Sequence, residues 1–438
     1  MIRDYNNSGK YITYSWGGGG TENHFAITDI HSNMIDAHVA SGYFVQDFEI
    51  LGDYVFFCGN NASGSGFLGW FDINNVFYGA GLPSGAQIDE TLSMYGIEWL
   101  DNIEVYYDKF GRIHIAGVGQ KTVSGTIFYK AFEAVGYTPN TMQYRVADLC
   151  GLGSMPRLTV TDDFVVYVTG EKNVCGTGIG FMLEPFPKND MFALPTHPTY
   201  LFQTVVTGLS LPPTVYDPYL NIAITSKDSN TIAVCNYRCG LYPYPAPPGC
   251  VYGIDNNFVL ILREYDLAPL LSANPIQMIS ANDVKLPLGV NEIRRLAYEP
   301  LTKHYVILFN NEVASGAFED GVMTIDYSSG SSPTVAQTTY QQAIPSGLLR
   351  DMCLDGSSRY TASGFDLSSY YNYFFWQDDI ISNAYNCANY INYIVIKDDT
   401  VVHKEYEELS NVVGWIALNF IPNIAPVIQG DNNSLICN

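Results

Sequence analysis

The chain has 438 residues, 47% of them hydrophobic, which is ample material for a sizeable core. Its 21 Lys and Arg against 44 Asp and Glu give a formal net charge of −23, so we expect no nucleic-acid partner and no affinity for anionic membranes. The 33 Tyr and 23 Phe favour strands, and no segment reaches about 18 uninterrupted apolar residues, which predicts an all-β protein with no membrane span.

The first ten residues, MIRDYNNSGK, are too polar for the apolar core of a secretory signal. Either the protein is not exported by that route, or the sequence begins after a removed signal. We therefore expect an extracellular or cell-surface location if a signal precedes the chain, and a virion or cytoplasmic location otherwise.

One unit recurs along the chain: an apolar strand, a short turn, a second apolar strand ending near Gly or Asn, a loop, and a third strand. The clearest copy is VQDFEILGDYVFFCGNN followed by GFLGWFDI. The copies, in chain order, are residues 1–18 with 24–30, 45–61 with 66–73, 103–119 with 126–133, 157–171 with 178–184, 221–236 with 258–267, 293–310 with 321–327, and 348–366 with 371–378.

A fourth candidate strand follows several copies, for example at residues 34–42, 142–149 and 274–280. Four-stranded units repeated in this way are the signature of a β-propeller, in which each blade packs between two neighbours. Unbroken apolar runs such as FVVYV fit strands that are buried on both faces. We predict a single β-propeller domain over residues 1–438 with about seven four-stranded blades.

The C-terminal segment, residues 425–438, resembles the first half of one more copy. A ring must close, and a C-terminal strand that completes the N-terminal blade would remove two open sheet edges. We expect closure of this kind, with eight blades, or seven and a short appendage, as the alternatives.

No short metal-ligand spacing, nucleophile elbow or phosphate-binding loop is present in the sequence, so we predict no metal, no cofactor and no catalytic residue. Paired acids on the inner strands of a propeller could still form a glycosidase site. The adjacent pairs Asp162 and Asp163, Asp378 and Asp379, and Glu407 and Glu408 fit turns or solvated charges better, because neighbours on a strand point to opposite faces.

The most distinctive segment is CNYRCGLYPYPAPPGCVYGIDN, residues 235–256, between a second and a third strand. Tyr242, Tyr244 and Tyr252 on this stiff, Pro-rich loop are candidate binding residues for a protein or a sugar, and a loop that covers the apolar end of the ring is the alternative. Cys239 and Cys250 bracket the Pro-rich stretch and are a candidate disulfide, with buried free thiols as the alternative.

The phrase DFEILGDYVFFCGNN with GFLGWFDI and its looser copies resembles repeats of uncharacterised β-propeller proteins of gut Bacteroidales, usually surface or secreted. That resemblance implies no catalytic residues. We expect a non-enzymatic binding or adhesion propeller that recognises a protein or glycan through its loop face. A structural tail protein of a phage virion and a carbohydrate-active enzyme are the two alternatives.

Overall fold

The structure is a computed structural model, and it describes the residues that belong to the sheets together with many of their turns. These are residues 2–4, 10–16, 23–29, 34–39, 42–76, 87–149, 151–152, 156–169, 172–173, 182–188, 204–205, 222–238, 259–272, 274, 276–285, 290–300, 303–314, 317–326, 334–341, 347–354, 360–366, 371–377, 389–397 and 400–409. The predicted closing segment, residues 425–438, lies outside them.

The described residues form an all-β protein of antiparallel sheets, as the composition predicts. Seven sheets of the described residues contain four or five strands in chain order. A separate two-stranded ribbon contributes one strand, Lys172–Asn173, that interrupts the order of the fourth sheet. Helical turns in the described part are short: α1 (Ile73–Val76) and 3-10 turns at Thr91–Tyr95, Pro139–Thr141 and Ala268–Ser272. The predicted meander of four strands is therefore confirmed as the repeating unit.

The first three sheets follow the first three repeats of the sequence. Sheet 1 contains β1 (Ile2–Asp4), β2 (Lys10–Trp16), β3 (Asn23–Asp29) and β4 (Met34–Val39). Sheet 2 contains β5 (Tyr43–Leu51), β6 (Tyr54–Asn61), β7 (Gly66–Asp72) and β8 (Gln87–Asp89). Sheet 3 contains β9 (Trp99–Tyr107), β10 (Ile113–Val123), β11 (Thr126–Gly136) and β12 (Gln143–Asp148).

The two-stranded ribbon lies next to sheet 4 in the chain and is followed by sheet 5. The ribbon pairs β13 (Gly151–Leu152) with β16 (Lys172–Asn173). Sheet 4 contains β14 (Arg157–Val160), β15 (Phe164–Thr169), β17 (Met182–Pro187) and β18 (Thr204–Val205). Sheet 5 contains β19 (Ile222–Ser226), β20 (Thr231–Arg238), β21 (Val259–Asp266) and β22 (Gln277–Lys285).

The last two sheets are the longest. Sheet 6 contains β23 (Val290–Glu299), β24 (His304–Ala314), β25 (Ala317–Asp326) and β26 (Thr334–Gln341). Sheet 7 has five strands: β27 (Gly347–Leu354), β28 (Tyr360–Asp366), β29 (Tyr371–Gln377), β30 (Asn389–Lys397) and β31 (Thr400–Leu409).

The chain divides into two compact units. Unit 1 comprises Met1–His38 and Leu288–Asn438, and unit 2 comprises Val39–Pro287. In unit 2 the first strands of successive sheets are neighbours, in the order β5, β9, β14 and β19. In unit 1, β23 lies beside β27, and β27 lies beside β1. Sheet 1, at the start of the chain, is therefore a neighbour of sheet 7.

The core of unit 2 consists of apolar layers between adjacent sheets. In β15, Val165 and Tyr167 enter a layer shared with sheet 3, whereas Phe164, Val166 and Val168 enter the layer shared with sheet 5. The strand is therefore buried on both faces, as its unbroken FVVYV run predicts. Each such side chain contributes about 1.5–3 kcal/mol of burial free energy, so these layers fix the sheets against one another.

Candidate functional site

The binding residues proposed from the sequence cannot be placed. Tyr242, Tyr244, Tyr252, Cys239 and Cys250 all lie outside the described residues. Within the described residues, a candidate site lies on the first strands of unit 2.

A β-bulge interrupts the first strand of sheets 2 and 3 at the same place. In β5 the register with β6 shifts between Val45 and Asp47, and in β9 the register with β10 shifts so that Asp101 is the extra residue. A bulge bends its strand and redirects a side chain, and bulges are common beside functional sites. Glycine lies opposite each bulge because a Cβ on Gly59 would lie 1.8 Å from the Phe44 carbonyl oxygen.

The residue after each bulge joins one first strand to the next. The Asn102 side-chain amide donates to Asp47 Oδ2, and the backbone N–H of Ile103 donates to the same oxygen at 3.0 Å. On its other side, Asn102 Oδ1 accepts a hydrogen bond of 3.3 Å from the backbone N–H of Leu158 in β14. Asp47 and Asn102 are both buried, so this chain of bonds fixes three neighbouring first strands.

Asp101 occupies the bulge itself and has a different environment. Gln120 Nε2 lies 2.7 and 2.8 Å from its two carboxyl oxygens, while part of the residue's surface stays open to solvent. Burial raises the pKa of Asp101 to about 7, against the opposing effects of the Gln120 hydrogen bond and the positive charge of Arg157. A part-buried aspartate with a raised pKa is common at functional sites.

Aromatic residues lie on either side of Gln120, the hydrogen-bond partner of Asp101. Trp99 and Tyr129 are the register partners of Gln120 on either side of β10, so the three residues form one row across sheet 3. The Tyr129 ring is buried, and both its burial and the charge of Asp101 raise the pKa of its hydroxyl. Trp99 is 37% exposed, and Tyr95, which precedes it at this end of the sheet, is 41% exposed.

The row offers two kinds of contact to a ligand. Asp101 is a hydrogen-bond donor when protonated and an acceptor when ionised, and with a pKa near 7 it can serve as either close to neutral pH. Trp99, which is partly exposed, adds an aromatic side chain to the same row. Together they can bind a molecule that has hydroxyl groups on one edge and an apolar face on another.

A second polar cluster lies at the other end of sheet 3. The His114 ring nitrogens face two carboxylates, Nδ1 at 2.7 Å from Glu133 Oε1 and Nε2 at 3.2 Å from Asp108 Oδ2. Arg112 Nε lies 2.6 Å from the same oxygen of Asp108, and an Arg145 nitrogen lies 3.7 Å from Glu133 Oε2. Each carboxylate of the cluster therefore lies near an arginine as well as a ring nitrogen of His114.

Tyr106 and Lys188 cover this second cluster. The Tyr106 ring stacks on His114 with centroids 4.9 Å apart, and Lys188 Nζ lies 4.2 Å from the Tyr106 ring centre. Burial, together with Glu133, raises the pKa of Tyr106, and burial lowers the pKa of Lys188. His114 and Glu133 are almost completely buried, so the cluster is packed away from ligands and we assign it a structural role.

The cysteine and metal predictions can be compared with the described residues only. Cys58 and Cys235 are buried free thiols, and burial raises the pKa of both. Within the described ranges, no group of three or more His, Cys, Asp or Glu side chains is arranged to hold a metal ion. Among those same residues, no helix is long and apolar enough to cross a membrane.

The sequence did not single out the residues of this site. Asp101, Asn102, Gln120 and Arg157 carry no recognised motif, and the acid pairs weighed from the sequence do not include Asp101. The available signal was a pair of polar residues inside an apolar first strand, combined with a Gly late in the second strand. That combination marks a bulge with a close backbone approach.

No protein-family model matches the sequence, and no curated protein matches it. Among solved structures, the polysaccharide lyase Uly1 aligns over 86% of each chain with 8% identity and a TM-score of 0.46. An acylaminoacyl peptidase from Pyrococcus horikoshii aligns over 91% of this chain and 57% of its own, with 10% identity and a TM-score of 0.40.

An endo-1,5-alpha-L-arabinanase from Thermotoga petrophila aligns over 83% of this chain and 90% of its own, with 10% identity and a TM-score of 0.31. At such values no property of these proteins is transferred to this chain. The protein is an all-β protein of repeated antiparallel sheets, with a part-buried polar site on its first strands.

Proposed function

We propose that this protein binds a glycan at the end of sheet 3, with Asp101 and Trp99 as the principal contacts. The observation that carries the proposal is a part-buried aspartate, with a pKa near 7, whose hydrogen-bond partner Gln120 is the register partner of the exposed Trp99. A sugar ring has hydroxyl groups around its edge and C–H groups on its faces. The carboxyl group matches the hydroxyl groups, and the indole matches the apolar face.

The rest of the site supports recognition rather than cleavage. Glycoside hydrolysis normally requires two carboxyl groups that flank the bond. Asp47, on the neighbouring strand, is buried and already accepts hydrogen bonds from Asn102 and Ile103, so it is committed to holding the strands together. Asp101 is therefore assigned to binding.

For the fold, we propose that the seven sheets are the blades of one β-propeller, in keeping with the prediction from the repeats. The neighbouring first strands within each unit support this arrangement, since the first strand of every blade in a propeller lies next to those of the adjacent blades. An experimental structure of the whole chain would test it, and sheets that do not share one central axis would contradict it.

The binding proposal is tested by titrating neutral oligosaccharides from a defined panel against the full chain by calorimetry. Trp99→Ala should weaken the binding of any glycan hit at least about tenfold, because stacked aromatic rings dominate such contacts. Tyr107→Ala is the matched control: Tyr107 is 50% exposed and ends the same strand that Trp99 begins. It should leave affinity unchanged.

Failure of the whole panel to bind would contradict the proposal, and so would an equal loss of affinity in both variants. A catalytic role is the second candidate, favoured by the pKa of Asp101, since a general acid works best when its pKa lies near the working pH. Product formation from a bound glycan, abolished by Asp101→Asn, would establish catalysis in place of simple binding.

A further inference from the structure

The negative charge of Asp101 is poorly balanced by its surroundings. Within the described part of the chain, Asp101 forms no ion pair, and the donor that holds both of its carboxyl oxygens is the neutral Gln120 amide. Burial raises the pKa of Asp101, and the Gln120 hydrogen bond opposes that effect more strongly than the charge of Arg157 does. When ionised, Asp101 therefore presents a charge that no described cation contacts directly.

The residues just before Asp101 add a second acid and an exposed ring. Glu98 and Trp99 are both exposed. The Glu98 carboxylate accepts a hydrogen bond of 3.0 Å from the backbone N–H of Thr122, and its own backbone N–H donates to the Gln120 carbonyl oxygen at 2.8 Å. These bonds hold Glu98, Trp99 and Asp101 along one stretch of β10.

Two cations belong to the same end of sheet 3, and neither neutralises these acids. Arg157 acts on Asp101 through its charge without forming an ion pair with it. The Lys121 side chain lies against Gly96, where a Cβ would be 3.0 Å from its Nζ. Among the described residues, Glu98 likewise forms no ion pair. Acids without paired cations beside an exposed indole favour a cationic ligand.

We propose that the glycan bound at this site carries a positively charged amino group, as in an oligosaccharide of glucosamine. This ligand class rests on the proposed function, since the sugar ring is held by Trp99 in either case. The ammonium group would add a charge-assisted hydrogen bond to the Asp101 carboxylate and an attraction to the face of the indole. The net charge of −23 would also raise the local concentration of a cationic ligand.

The test is calorimetric titration of the full chain, near neutral pH, with three trisaccharides of equal linkage: the glucosamine trimer, its N-acetylated form and the glucose trimer. The glucosamine trimer should bind at least about tenfold more tightly than the two uncharged sugars, because hydrogen bonds between charged groups are the stronger ones. Asp101→Asn should remove most of this preference.

Glu98→Gln is the matched control, because it removes one negative charge close to Trp99 and keeps an oxygen that can accept from the Thr122 N–H. The preference for the glucosamine trimer should persist in this variant. An equal loss of preference in Asp101→Asn and Glu98→Gln would overturn the proposal, because attraction by the overall charge would then explain it.

The outcome also separates this ligand class from glycan binding as such. Uncharged trisaccharides that bind through Trp99, with no preference for the glucosamine trimer, would overturn the ligand class and leave the proposed function standing. Binding of none of the three would contradict both. If Asp101→Asn does not fold, added sodium chloride provides the second measurement: it should narrow the preference in the wild type, and a preference that is unchanged by salt would count against an ion pair.

Discussion

The two polar clusters of sheet 3 contain similar residue types but differ in how their charges are matched. Around His114, each carboxylate lies near an arginine, with Glu133 3.7 Å from Arg145 and Asp108 2.6 Å from Arg112, and the His114 and Glu133 side chains are buried. Around Asp101, the direct hydrogen-bond partner is the neutral amide of Gln120, and part of the residue stays open to solvent. A largely buried network of opposite charges stabilises the fold, whereas a part-buried aspartate held in place by a neutral donor is suited to bind a ligand.

The largest expected effect comes from breaking the matched cluster. Glu133→Ala leaves His114 and Arg145 without their buried carboxylate partner, and this should lower the free energy of unfolding by about 3–5 kcal/mol. Urea denaturation measures the loss. Glycan affinity, measured where the variant stays folded, should not change, because Glu133 lies at the other end of the sheet.

The control for Glu133→Ala is Asp148→Ala. Asp148 lies 2.5 Å from Lys130 Nζ but is 58% exposed, so its removal should cost less than about 1 kcal/mol. A loss in Glu133→Ala as small as that in the control would show that the His114 cluster does not stabilise the fold.

A smaller effect is expected at the glycine that faces Asp101. A Cβ on Gly119 would lie 2.8 Å from the Trp99 carbonyl oxygen and 2.6 Å from Ile97 Cγ2, so Gly119→Ala should displace the start of β9. We expect a loss of about 1–3 kcal/mol in stability and a clear loss of glycan affinity, because Trp99 and Asp101 both move.

Gly117→Ala is the matched variant on the same strand. Its Cβ would lie 2.3 Å from the Phe132 ring, away from the row of Trp99 and Gln120, so stability should fall to a similar extent while glycan affinity persists. If both variants lost affinity equally, the site would not depend on the bulge.

How far the sequence predicts this protein also differs between its parts. The apolar runs, tight turns and repeated third strands of the chain predicted the antiparallel four-stranded units, because burial on two faces leaves a plain pattern in strands such as β15. The bulges leave a weaker pattern in the sequence. A bulge is defined by its pairing with the opposite strand, and the only local signs were Asp101 next to Asn102 and a Gly across the sheet.

The candidate site was harder to predict than the fold for a physical reason. Asp101 lies among many acids of a chain with 44 Asp and Glu, and what distinguishes it is its surroundings. Gln120 comes from the next strand and Arg157 from the next sheet. Contacts between residues so distant in the chain depend on strand register, which composition does not reveal. The binding role of the Tyr- and Pro-rich loop, residues 235–256, stays a prediction.

The pH dependence of stability separates the two clusters by sign. The pKa of Asp101 is raised from its ordinary value of 3.8 to about 7, so between these values the folded chain holds a proton that the unfolded chain has released. The contribution of Asp101 to stability is therefore fully present below about pH 4. It is lost as the pH rises from about 4 to above about 7. Asp101→Asn removes this dependence. From about pH 4 to about pH 8 the wild type should lose about 1–2 kcal/mol relative to the variant, less than the full shift implies because the group is partly exposed.

Asp108 in the matched cluster should give the opposite sign. Although partial burial disfavours its charge, hydrogen bonds from Arg112, Phe110 and His114 lower the pKa of Asp108 below its usual range. Its stabilising contribution is therefore present above about pH 4 and is lost as pH falls further. Asp108→Asn should be less stable than the wild type at neutral pH, with the difference narrowing in acid, as urea denaturation across the pH range would measure. Equal pH profiles for the Asp101 and Asp108 variants would contradict the separation of the two clusters into a binding site and a structural network.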